Sequence, residues 1–95
     1  MNKANITDLR NRIEANYAAD RATLPSELYA ALKGLADGPR YSLVGLLASI
    51  CRSNGCVTPY ESGLVHGHIL AALQRNELSD AEGILLYEFV QAHTT

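Results

Sequence analysis

The segment from Thr58 to Arg75 constrains this chain more than any other, because as a helix it has almost no side fit for water. At about 100° per residue, Val65, Ile69, Ala72 and Leu73 form one broad apolar face. Gly63, Gly67 and Ala71, each four residues after the last, form a second face that is smooth rather than polar. Glu61, His68 and Arg75 make the only polar edge. A helix of this kind is buried by its own fold or carries a partner. In 95 residues that predicts a central helix with an assembly surface on it.

Four other segments carry helical spacing. Ile6, Leu9, Ile13 and Tyr17 recur at i, i+3, i+7 and i+11, a narrow stripe. Asn5 is the expected cap, and Asp8 suits the first turn. Arg10, Asn11, Arg12 and Glu14 occupy the other faces, so this helix is expected to be peripheral, with one seam. Leu24, Leu28, Leu32 and Leu35 make a second stripe, with Thr23 as N-cap and Pro25 in the first turn. Asp37-Gly38-Pro39 is expected to stop it and open the next. In the third, Tyr41 to Ser53, Leu43, Leu46, Leu47 and Ile50 point one way, flanked by Val44 and Cys51. Its opposite side, Ser42, Gly45 and Ser49, is small and uncharged, and Asn54-Gly55 ends it.

The sharpest local signals are two capping boxes. Thr58-Pro59-Tyr60-Glu61 and Ser79-Asp80-Ala81-Glu82 both fit S/T-x-x-E and set the starts of helices four and five. The last helix carries Leu85, Leu86, Phe89 and Val90 on one face, with Ile84 and Tyr87 on the other. No stretch alternates with period two for long. The expected fold is therefore all-α: a single domain over 1–95, a compact bundle of about five short helices with 58–75 central.

Composition narrows the function classes. The chain is 47% hydrophobic and 19% charged, which argues for a packed core against disorder. Net charge is −2, and Lys3, Arg10, Arg12, Arg21, Lys33, Arg40, Arg52 and Arg75 are scattered, which argues against nucleic-acid binding. No apolar run approaches the roughly 20 residues of a membrane span, and Met1 to Arg12 lacks a signal-peptide apolar region. A cytoplasmic location with reduced thiols is the expectation.

Cys51, Cys56, His66 and His68 invite a zinc reading that their spacing does not support. Structural zinc sites favour two short Cys and His pairs in characteristic spacing, whereas His66 and His68 on one helix point about 200° apart. Cys51 reads as a small apolar residue, Cys56 as a loop residue, and His66 as a hydrogen-bonded residue at the margin of the apolar face. His68 is expected in solvent or paired with Glu61, and His93 exposed in the tail. No third member accompanies any Cys–His pair, and Glu61, Asp80 and Glu82 are explained by capping. No catalytic residue, cofactor or metal ligand is assigned. Helices three and four resemble a helix-turn-helix in order only, since Tyr60, Glu61, Ser62 and Gly63 stand where base-reading side chains belong.

What remains is surface. The expectation is a non-catalytic protein–protein interaction module that acts by occupying a partner, in the style of small bacterial or phage accessory and inhibitor proteins, and that forms a homodimer. Arg10, Arg12, Glu14, Glu61, His68 and Arg75 are the expected partner-binding residues. Gly63, Gly67, Ala71, Ile84 and Tyr87 are the expected self-association residues. Two alternatives stand beside this: a helix-turn-helix DNA-binding regulator, and a protein that sequesters a small nucleotide-like ligand.

Overall fold

The computed structural model describes residues 3–54 and 56–93, with side chains from Ile6 onward. Five helices follow one another: α1 (Lys3–Thr23), α2 (Ser26–Ala31), α3 (Asp37–Arg52), α4 (Pro59–Gln74) and α5 (Asp80–His93). The all-α bundle expected from periodicity is the fold found, with no sheet among the described residues.

The core forms where the stripes meet. Leu28, Leu32, Leu43, Val44, Leu47, Ile50, Val65, Leu86 and Val90 are shut off from solvent. Side chains of this size each contribute about 1.5–3 kcal/mol on full burial. All four leucines of the second stripe, Leu24, Leu28, Leu32 and Leu35, belong to this cluster. α4 lies between α3 and α5, as its apolar face requires. α3 shares the centre with it, because α3 touches α1, α4 and α5. The small side of α3 is partly explained by α1, whose Asp20 carboxylate approaches Gly45.

Local chemistry corrects several boundaries. α1 starts at Lys3, ahead of Asn5, and the Asn5 side chain lies outside the described residues. Thr23 does not cap the second helix. α1 runs through it, and its hydroxyl donates to the Ala19 carbonyl (3.0 Å). Pro25 takes the N-cap position instead, with its carbonyl accepting from Leu28 and Tyr29. α2 is a helix of 6 residues, and a turn carries Leu32 and Leu35 into the core before Asp37 opens α3. After α3 the left-handed residue is Asn54, at φ 52°; Gly55 lies outside the described residues.

The α5 capping box forms in full, and at α4 the N-cap half of the box forms. Glu61 N–H donates to Thr58 Oγ1 (3.1 Å), while the Thr58 hydroxyl donates to the Glu61 carboxylate (3.0 Å). At α5 the exchange is reciprocal: Glu82 N–H donates to Ser79 Oγ (3.1 Å) and Ser79 N–H to Glu82 Oε1 (2.8 Å). α4 ends in a Schellman motif built on Asn76, which sits at φ 59°. There Glu77 N–H donates to Ala72 O (2.9 Å) and Asn76 N–H to Leu73 O (3.0 Å).

The body does not cover α1 along its whole length. Its second half is anchored: the Tyr17 and Tyr41 rings lie 4.1 Å apart, and Arg52 donates to Asp20 (2.7 Å) and to Thr23 (3.1 Å). Along its first half, Ile6, Leu9 and Ile13 stay 44%, 53% and 49% exposed. The molecule measures 43 × 30 × 24 Å, with a radius of gyration of 14.2 Å. A compact chain of this length has about 12 Å, and a protruding helix accounts for the excess.

Candidate functional site

Among the described residues, an apolar groove lies between α4 and α5. It has a volume of about 580 Å³ and is lined by His66, Ile69, Leu70 and Leu73 from α4 and by Asp80, Gly83, Ile84 and Tyr87 from α5. The spacing is i, i+3, i+4, i+7 on both helices, so each presents one face along two turns. Gly83 sets the depth. A Cβ there would meet Leu73 Cδ2 at 3.0 Å, so the absence of a side chain lets the two helices close together at the groove floor. The rim is apolar and open, with Leu70 and Ile84 both 57% exposed and Tyr87 50%. One polar element organises the wall. The His66 ring stacks on Tyr87 at 4.8 Å, and Gln91 Nε2 lies 3.3 Å from His66 Nε2 and donates to it. His66 is thus the hydrogen-bonded margin residue expected from its helical position.

A second, shallower groove runs between α3 and α4. Ser42, Gly63, Leu64, Gly67, His68, Ala71 and Arg75 line it. Among the described residues nothing lies within 4 Å of where a Cβ on Gly63 or Gly67 would be, so they leave the smooth strip of α4 open.

The expected site residues fall in three places. Arg10, Arg12 and Glu14 are exposed on the overhanging part of α1, where Arg12 pairs with Asp8 (3.2 Å). Gly63, Gly67 and Ala71 share the α3–α4 groove with His68 and Arg75, so residues assigned to two different tasks stand on one surface. Glu61 turns to the Thr58 cap rather than to His68, and Arg75 donates to Glu77 (2.7 Å). Ile84 and Tyr87 stand apart from these, in the α4–α5 groove. His93 is not a loose tail residue: it closes α5, half-buried, with its ring 4.3 Å from Phe89 and Nδ1–H donating to the Phe89 carbonyl (2.8 Å).

Sequence reasoning missed two clusters because both depend on helices meeting. In the first, Tyr17, Tyr29 and Tyr41 gather with Arg21 and Arg40 where α1, α2 and α3 converge. The Tyr17 and Tyr29 hydroxyls are 3.3 Å apart, and the Arg21 guanidinium lies 4.4 Å from the Tyr29 ring. Burial, then the Tyr29 hydroxyl, pushes the Tyr17 phenol above its ordinary value, while the hydrogen bond shared with Tyr17 draws Tyr29 below it. In the second, Glu77 joins two turns. Its carboxylate accepts from Arg75 Nε and from the Ala36 N–H (3.2 Å), and Arg75 holds it below the usual carboxylate range.

The described residues hold no group of three or more His, Cys, Asp or Glu placed to bind a metal ion. His66 and His68 face the two different grooves. Cys51 is half-buried and Cys56 exposed, both free. Burial pushes the Cys51 thiol up, opposite to what a reactive thiolate needs. No described helix is long and apolar enough to cross a membrane. Set against protein-family models, curated proteins and solved structures, the chain has no match.

Proposed function

We propose that this chain is a non-catalytic protein–protein interaction module that works by occupying a partner surface and that self-associates as a homodimer, with the α4–α5 groove as its working face. One observation carries the reading. Leu70, Ile84 and Tyr87 hold a large apolar area in water, and they stand together around one concave floor. Exposed apolar area gathered around a groove marks a contact surface. Aromatic residues with one apolar body and one polar tip, as Tyr87 is here, are enriched at such contacts. The inhibitor-like and cytoplasmic parts of the reading rest on chain size and composition alone.

The DNA-binding alternative gains nothing from the fold. The start of α4 presents an exposed Tyr60 and a carboxylate to any approaching phosphate. Against the nucleotide-binding alternative, the α4–α5 groove is lined by neither Lys nor Arg.

The test is a charge placed on the groove rim. Ile84→Asp alters an exposed position, so the helical circular dichroism should be unchanged. Light scattering of the natural chain at high micromolar concentration should give about twice 10.3 kDa, and the variant should shift toward the single-chain mass. Affinity capture from the native cell should lose its bound protein with the same substitution. A monodisperse monomer, together with capture indifferent to the substitution, would remove the reading.

A further inference from the structure

Resting on the groove as a docking face, we infer that its occupant is the first half of α1 from a second copy of this chain, seated reciprocally across a two-fold axis. The fold leaves two apolar surfaces open that match each other. One is convex: Ile6, Leu9 and Ile13 on a helix held to the body by its other half. The other is the α4–α5 groove. Their lengths agree. Ile6 to Ile13 spans i to i+7, as do His66 to Leu73 and Asp80 to Tyr87, and each span covers about 10 Å of helix axis. An amphipathic helix laid in a groove is read through anchors at i, i+3 and i+7, the spacing that Ile6, Leu9 and Ile13 provide.

Charge agrees with shape. On α1, Arg10 flanks the stripe on one side, and Arg12, paired with Asp8 (3.2 Å), stands on the other. α5 carries Asp80, Glu82 and Glu88 and neither Lys nor Arg; Asp80 lines the groove and Glu88 is exposed beside Tyr87. The Arg10 flank of one copy therefore meets the anionic rim of the other.

The same chain does not fill its own groove. Tyr41 and Arg52 hold α1 on α3, whereas the groove is bounded by α4 and α5. In a two-fold dimer each α1 enters the partner's groove, so the contact is made twice and closes with no surface left to propagate.

Isotope-filtered nuclear Overhauser spectroscopy on mixed labelled and unlabelled natural chain tests this directly. Contacts should appear between the Leu9 methyls of one copy and the Tyr87 ring of the other. Leu9→Asp and Ile84→Asp, both at exposed positions, should each weaken self-association by more than tenfold with helix content intact. Mixing the two variants should restore a heterodimer through the one undamaged contact. A dimer broken by Ile84→Asp but untouched by Leu9→Asp would overturn the inference and leave the groove as a docking face for something else. An open polymer, or a dimer without Leu9–Tyr87 contacts, would also overturn it. A natural chain that stays monomeric would overturn it as well, and with capture indifferent to Ile84→Asp the underlying reading would fall too. The spectroscopic arm needs no variant, so a misfolded substitution does not blunt it.

Discussion

Single residues in this chain are best understood through what a Cβ would strike. Gly34 sits where the turn after α2 meets the turn after α4, and a Cβ there would lie 2.9 Å from the Glu77 carbonyl oxygen. That neighbour is backbone and cannot swing aside. Gly34→Ala should therefore destabilise by about 1–3 kcal/mol, the range for forced overpacking. Gly63 and Gly67 meet open space inside a helix. Replacing either by Ala should stabilise by about 0.5–1 kcal/mol, since helical Gly loses more backbone entropy than Ala. Urea unfolding of the three variants checks the opposite signs; equal effects would refute the geometry at Gly34. Gly67→Leu, which would break a packed interface, should leave the single subunit intact. Sequence alone distinguishes none of these glycines, because spacing reveals the helix but not what stands opposite. Asn76 was hidden for a related reason. A left-handed Asn after a helix is less common than Gly, and its role shows only in the two hydrogen bonds it closes.

At the level of elements, caps and apolar spacing made most of the fold legible. Thr58–Glu61 and Ser79–Glu82 placed the starts of α4 and α5, since capping is local chemistry. The α1–α2 boundary was misjudged because Thr23 has a legitimate competing use inside a helix, bonding back to Ala19. The groove was half legible. Ile84 and Tyr87 stood out as off-face on their own helix, but Leu70, Leu73 and His66 join them only once α4 and α5 pack. Glu77 was invisible as a tie between the α4–α5 turn and the start of α3, because no sequence rule pairs residues 36 and 77. That tie carries a pH signature. Its folded value is lowered, so the stabilisation is fully present above the ordinary carboxylate value of about 4.3 and is lost as pH falls through the folded value. Glu77→Gln should therefore be less stable than the natural chain at neutral pH, and the gap should narrow under acid. Paired urea titrations from pH 7 to pH 3 measure it. A pH-independent gap would show that the carboxylate charge is not what binds the turns.

For the whole molecule, the arrangement separates the core from the proposed contact surface. α2 to α5, with the second half of α1, enclose the core, while residues 6–13 lie along its outside. The end of a helix that is packed only along its other half opens locally at low cost. Amides of residues 6–13 should therefore exchange fast in dilute protein and gain protection as concentration rises, while those of α3 stay protected throughout. Hydrogen exchange at two concentrations decides this; protection independent of concentration would mean that the stretch is held within one chain. The overhang has a further consequence for how the protein tolerates change. Ile6, Leu9 and Ile13 keep about half of their surface in water, so packing within the fold constrains these positions only in part. Two helical turns that hold apolar side chains half in water carry a cost in solubility, and the proposed contact would remove it.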